Sequence, residues 1–185
     1  MSLQTYTRGF KSFLQLEKSL SPHSVTAYLH DVEKLQQFLD YAHPNLKVAD
    51  ITLKTLQEFL QWIHELGMTP TSQARIISGL KAFFKYLILE ELLSSNPADL
   101  LEAPKTRRKL PDTLSAEEVQ WLLDAIPQHT AEGTRNRAIL ETMYSCGLRV
   151  TELTELRISN IYADVEFIRV IGKGNKERLI PIGSS

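Results

Sequence analysis

Two cations mark the part of this 185-residue chain that could do chemistry. Arg149 follows Cys146-Gly147-Leu148 and precedes Val150-Thr151-Glu152-Leu153. Lys173 lies in the run Gly172-Lys173-Gly174-Asn175-Lys176-Glu177-Arg178. A guanidinium offers two parallel N–H donors that match two non-bridging phosphate oxygens. Free N–H groups at a helix start add to such an anion site. A lysine on a glycine-flanked turn can approach a backbone closely and give a proton to a leaving oxygen. Both cations therefore suit a phosphodiester. Glu152 falls three residues after Arg149, on the same helix face, and could orient the guanidinium. Taken alone, each residue has a plainer reading: an ion pair at a helix start, and an exposed lysine on an ordinary turn. The second run is not a P-loop, because it lacks the Lys-Ser/Thr ending before a helix.

The elements that must hold these residues come in two sets. The first hundred residues read as four helices. Phe10, Phe13, Leu14 and Leu16 give the first an apolar face. Ser21-Pro22 is a helix start with proline in a tolerated first-turn position. Val25, Tyr28, Leu29, Val32, Leu35, Phe38 and Leu39 follow at helical spacing. Leu56, Phe59, Leu60 and Ile63 make a third helix, ended by Gly67. Thr69-Pro70 opens a fourth, with Ile76, Ile77, Leu80, Phe83, Phe84 and Leu87, and Asn96-Pro97 closes the region. Short loops between four helices predict a small bundle.

Beyond Ser115 the pattern changes. Ser115 and Glu118 have capping-box spacing, with Val119, Trp121, Leu122, Leu123 and Ile126 as the buried side of that helix. A second helix is expected over 134–145, with Ala138, Ile139, Leu140 and Met143 apolar and Gly147 as its stop. Asn136 could cap its start. A shorter helix turns Val150, Leu153 and Leu156 inward. The period then drops to two. Val165, Phe167, Ile168, Val170 and Ile171 read as one strand, and Leu179, Ile180 and Ile182 as another. Between the two sets lie Pro104 and Pro111 and the cations Lys105, Arg107, Arg108 and Lys109. Such a strap could follow a polyanion or be a solvated linker. The expected division is 1–102, a linker at 103–113, and 114–185.

Composition sets bounds. The net charge of −1 gives no bulk attraction to nucleic acid, so any basic surface must be local. Cys146 is the single cysteine, which excludes an internal disulfide and a cysteine-rich zinc site. A reducing cytoplasm is the default expectation. No apolar run approaches the ~18–20 residues of a membrane span.

Order, spacing and surroundings together resemble the tyrosine recombinase (phage integrase) family, most closely its Xer branch, which resolves chromosome dimers before cell division. The likeness lies in 24–28, in 72–87 ending Lys81-Ala82-Phe83-Phe84-Lys85-Tyr86-Leu87, in the linker from Asn96-Pro97 to Pro111, and in the Arg149 and Lys173 motifs. The resemblance implies an all-α, four-helix, SAM-like core-binding domain. After it would come the N-terminal part of a mixed α+β catalytic domain with a small antiparallel sheet. It implies DNA cut and rejoined through a 3′-phosphotyrosyl bond, with no metal and no cofactor. Arg149 would be the first catalytic arginine, Lys173 the general acid, and Glu152 the support of the arginine. Residues expected toward double-stranded DNA are Ser24, Thr26, Arg75, Ser78, Lys81, Lys85, Lys105, Arg107, Arg108, Lys109, Lys176 and Arg178. The implied partners are a paralogous recombinase and a DNA translocase, in a tetramer on DNA. This chain alone is expected to be a monomer.

The chain departs from the family's pattern in several respects. None of His23, His30, His43, His64 and His129 is followed by arginine three residues later, so the His-x-x-Arg box is missing. Tyr6, Tyr28, Tyr41, Tyr86, Tyr144 and Tyr162 all precede Lys173, so none takes the nucleophile's role. Tyr144 is expected to pack near Arg149, and Cys146 to be a small buried packer. The expectation is an incomplete chain that binds DNA without cleaving it. The alternatives are an integrase of a phage, plasmid or mobile element, a DNA-binding module without catalysis, and a helical protein–protein adaptor.

Overall fold

A computed structural model describes residues 3–105, 110–172, 174 and 176–182. The chain divides into two compact units, 1–109 and 110–185.

The first unit is helical. Helix α1 (Gln4–Ser12) runs into a π-helical turn, Phe13–Glu17. Phe10, Phe13 and Leu14 are buried, but Leu16 is exposed, against expectation. Leu16 lies two residues past Leu14, about 200° around a helix, and so faces away. Helix α2 (Pro22–Ala42) starts at Ser21, whose hydroxyl accepts from the Ser24 N–H at 3.3 Å. Helix α3 (Leu53–Glu65) is capped by Thr52, and α4 (Pro70–Leu89) by Thr69. Phe10, Phe59, Phe83 and Phe84 are fully buried, with Phe10 meeting the edge of Phe83 at 5.2 Å between ring centres. Each such ring buries a large apolar area in the core of the unit.

One polar contact crosses that packing. Asp31 of α2 is buried, and Arg75 of α4 grips its carboxylate with both Nη atoms, at 2.8 and 2.6 Å. Asp31 lies three residues after Tyr28 and four before Leu35, on the inward stripe, so its charge needs a partner there. Burial holds the Asp31 carboxyl above its usual range, with Arg75 only partly opposing the shift. Gly79 of α4 lies against this carboxylate, leaving no room for a Cβ.

The second unit begins with α5 (Ala116–Asp124). Its capping box is reciprocal: Glu118 N–H to Ser115 Oγ at 3.2 Å, and Ser115 N–H to Glu118 Oε2 at 2.8 Å. Trp121 (69% exposed) and Leu122 are not on the buried side, contrary to expectation. Val119, Leu123 and Ile126 form the i, i+4, i+7 stripe, and Trp121 lies opposite it. Helix α6 (Ala131–Cys146) starts earlier than its periodicity suggests, because Thr130 caps it through the Gly133 N–H at 3.0 Å. Asn136 therefore lies inside the helix and caps nothing. Ala138 and Ile139 are exposed, while Leu140 and Met143 are half-buried. Tyr144 is exposed rather than packed.

Gly147 ends α6 in the left-handed conformation (φ +59°), and the Leu148 N–H closes back on the Met143 carbonyl at 3.2 Å. Helix α7 (Val150–Thr154) follows at once. Val150 is exposed, not inward; Leu153 and Leu156 pack on Cys146, Leu148, Ile168 and Val170.

Three antiparallel strands make the sheet in the order β1 (Ile161–Tyr162), β2 (Phe167–Gly172), β3 (Lys176–Pro181). The two-residue β1 is too short to show a period. Val165 belongs to a 3₁₀ turn and not to β2. Ile182 lies just past β3, its N–H on the Glu166 carbonyl at 2.8 Å. The register pairs Val170 with Arg178, so Arg178 shares the face of buried Ile168 and Val170, toward α7.

Gly79→Ala should displace the Asp31 carboxylate and break the Arg75 pair. The expected cost to the first unit is about 1–3 kcal/mol of overpacking. Urea unfolding should show a lower midpoint at unchanged slope.

Candidate phosphate and nucleic-acid site

The site is built around a buried carboxylate. The side chain of Glu152 is 2% exposed and carries three donors. Its Oε2 accepts from the Arg149 backbone N–H at 2.8 Å, and its Oε1 from Arg149 Nη1 at 2.9 Å. Arg178 Nη2, on β3, reaches Oε2 at 2.7 Å. The first of these contacts is half of a capping box: the residue at the third helical position closes back on the N-cap amide. It follows directly from the Gly147 stop, which sets Arg149 in extended conformation immediately before α7. These bonds hold the Glu152 carboxyl below the usual glutamate range, the Arg149 backbone N–H foremost, with both guanidiniums assisting against the cost of burial.

Arg149 is thereby oriented but not consumed. Its side chain is 66% exposed, and its Nε and Nη2 donate to no described residue. A preorganised guanidinium with an open edge can take two oxygens of a phosphate. Gly172, next to Lys173 in sequence, lies close enough that a Cβ there would come within 3.3 Å of Glu152 Oε1. The end of β2 and the start of α7 thus meet at this carboxylate.

The other expected site residues divide clearly. Lys173, Arg107, Arg108 and Lys109 lie outside the described residues. Lys176 is the first residue of β3 and is exposed. Arg178, its side chain 43% exposed, gives its Nη2 to Glu152, a contact that its position in the motif does not reveal. In the first unit, Thr26 Oγ1 donates to the Pro22 carbonyl at 3.0 Å and Ser78 Oγ to the Ala74 carbonyl at 3.1 Å. Ser24 Oγ shares a hydrogen bond with Ser21 Oγ at 3.0 Å. Lys81 Nζ donates to the Asp99 carbonyl at 3.2 Å, while Lys85 and Lys105 are exposed. Arg75 is 48% exposed with both Nη atoms on Asp31. A carboxylate on an apolar stripe, as at Asp31, is the signal that could have found this pair. Cys146 is buried and packs, as expected. Among the described residues there is no cluster suited to a metal ion, and no helix is long and apolar enough to cross a membrane.

Comparison with known proteins bears directly on this arrangement. Residues 8–91 match the phage integrase N-terminal SAM-like domain, and residues 112–185 match the phage integrase family. The chain belongs to the phage integrase family of tyrosine recombinases. Within that family it is 37% identical over 186 residues to tyrosine recombinase XerD of Staphylococcus haemolyticus (strain JCSC1435). It is 35% identical over 183 residues to XerD of Staphylococcus aureus (strain N315). Each match takes in 99% of this chain and 62% of the relative, so the chain spans under two thirds of their length. In fold it resembles a lambda integrase tetramer bound to a Holliday junction, with a TM-score of 0.79 at 20% identity, over 100% of this chain and 52% of that one. It also resembles XerH site-specific recombinase bound to a palindromic difH substrate, with a TM-score of 0.69 at 20% identity, over 94% and 52%. The helical first unit and the helix-plus-antiparallel-sheet second unit are those of the recombinase fold.

Glu152→Gln tests the carboxylate. An acid whose folded value is lowered contributes stability above its ordinary range, ~4.3, and loses it as pH falls through the folded value. The substituted protein should be less stable than the parent at pH 7, and the gap should close in acid below about pH 4. Paired urea titrations at the two pH values read this directly.

Proposed function

We propose that this chain is the DNA-gripping and arginine-bearing portion of a site-specific tyrosine recombinase of the XerD kind. What supports the reading is the Glu152 grip on Arg149, which fixes a half-open guanidinium at a helix start. In this reading Arg149 binds two non-bridging oxygens of the scissile phosphate and neutralises charge in the transition state. Removing one such preorganised donor typically costs ~10²–10³ in rate. A tyrosine oxygen, supplied by no position of these 185 residues, attacks phosphorus. The bond to the 5′ oxygen breaks, and Lys173 gives that oxygen its proton. The 3′-phosphotyrosyl bond keeps the phosphodiester energy for rejoining. Guanidiniums carry the charge stabilisation, so the reading needs no metal and no cofactor.

The finer assignment follows the XerD likeness. The whole protein would resolve chromosome dimers before cell division, acting in the cytoplasm. It would do so in a tetramer on two DNA sites, with an XerC-like paralogous recombinase and a DNA translocase. An integrase of a mobile element is the alternative within the family. The 185 residues taken alone would bind DNA as a monomer and leave it uncut, because they contain no His-x-x-Arg box and no tyrosine after Lys173. The domain division is proposed at 1–102, 103–113 and 114–185, with the middle piece a cationic strap along the DNA backbone.

Two measurements test this. In a gel shift the chain should retard duplex DNA, and on a nicked suicide substrate it should form no covalent adduct. A phosphotyrosyl adduct would refute the binding-only assignment, and absence of retardation at low salt would refute the DNA-binding one. Replacing Lys105, Arg107, Arg108 and Lys109 together by glutamine should weaken binding to all sequences. It should also flatten the salt dependence by about 0.9 in log–log slope per lost phosphate contact. An unchanged slope would count against the strap.

A further inference from the structure

The cluster at Glu152 holds two guanidiniums and one carboxylate, a net charge of +1. Arg149 alone with Glu152 would be close to neutral, because the carboxylate lies 2.9 Å from Arg149 Nη1 and is shielded from solvent. A phosphate approaching such a pair meets a dipole in place of a cation, and burial leaves the carboxylate's charge little screened. Arg178 changes that balance. It reaches Glu152 from β3 rather than from α7, and its own Nη2 is spent on the carboxylate. Nearby Arg169 does not substitute for it, since it pairs with Glu177 at 3.7 Å and donates to Asn160.

We propose that Arg178 is a positioning residue that acts through Glu152. It neutralises the buried carboxylate, so that Arg149 presents a full unit of charge in a fixed orientation to a DNA phosphate. Arg178 does not itself touch DNA, which departs from its sequence-based expectation as a DNA contact. The proposal rests on the reading of Arg149 as a phosphate ligand. The same carboxylate cannot serve both arginines unless α7 and β3 stay in place. The contact therefore also pins β3 to α7.

The salt dependence of binding to a non-specific duplex, measured on the 185-residue protein, separates the possibilities. Arg149→Ala should lower the log–log slope by about 0.9, which is roughly a threefold change in the ratio of affinities between about 50 and about 200 mM salt. Arg178→Gln keeps a hydrogen-bond donor and loses the charge, and should lower the slope by a similar amount. In the Glu152→Gln background, where there is no carboxylate to neutralise, Arg178→Gln should leave the slope unchanged. Arg178→Lys, and separately the paired Glu152→Gln/Arg178→Gln protein, should restore the parental slope, since each returns the cluster to +1. A loosening of the unit by Arg178→Gln would lower the urea midpoint and weaken binding at every salt concentration without changing the slope. If Arg178→Gln still lowers the slope in the Glu152→Gln background, Arg178 contacts DNA directly and the proposal is overturned. If Arg178→Gln leaves the slope unchanged while Arg149→Ala lowers it, the proposal fails and the Arg149 reading stands. If Arg149→Ala has no effect, the Arg149 reading fails and takes the proposal with it.

Discussion

A carboxylate removed from water must find donors, and the second unit is arranged around that demand at Glu152. A buried charge without partners is strongly disfavoured, so the three donors are obligatory companions. Two of them come from one residue, Arg149, through its backbone and its side chain. The third comes from a strand 26 residues away in sequence. The glycine stop after α6, the abrupt start of α7 and the β2–β3 register are all needed for the three to meet. Small shifts in any of them would expose or orphan the charge. The geometry of Arg149 is in this sense a by-product of satisfying a glutamate.

The first unit solves the same problem differently. Asp31 is as buried as Glu152, and Arg75 answers it with both terminal nitrogens at once. A bidentate fork of that kind fixes two helices against each other but leaves the guanidinium little to offer a ligand. Arg149 commits one nitrogen and keeps an edge open. Two arginines half-exposed to similar degrees thus differ in what they can still bind. The difference lies in how many nitrogens each guanidinium commits to its carboxylate, which exposure alone does not reveal.

Much of this was legible in the sequence, for physical reasons that vary by element. The caps at Ser21, Thr69 and Ser115 are local hydrogen bonds between residues three apart, so spacing announces them. The Gly147 stop is legible because its left-handed backbone suits glycine. The Arg149–Glu152 contact is local too. What the sequence did not disclose is long-range. The pairing of Arg178 with Glu152 depends on strand register, and that of Arg75 with Asp31 on helix packing. The apolar residues of α5 and α6 misled for another reason. Trp121 and Ile139 were read as core because they are hydrophobic, yet they lie off the stripes their helices bury.

The two buried carboxylates also answer protons in opposite senses. Asp31 is held above its usual range by burial, so its effect on stability is most favourable when acid protonates it. Glu152, held low by its donors, is most favourable when ionised. As the medium acidifies, the helical unit sheds an electrostatic burden while the sheet unit loses its central tie. The two carboxylates thus pull the acid response of their units in opposite directions.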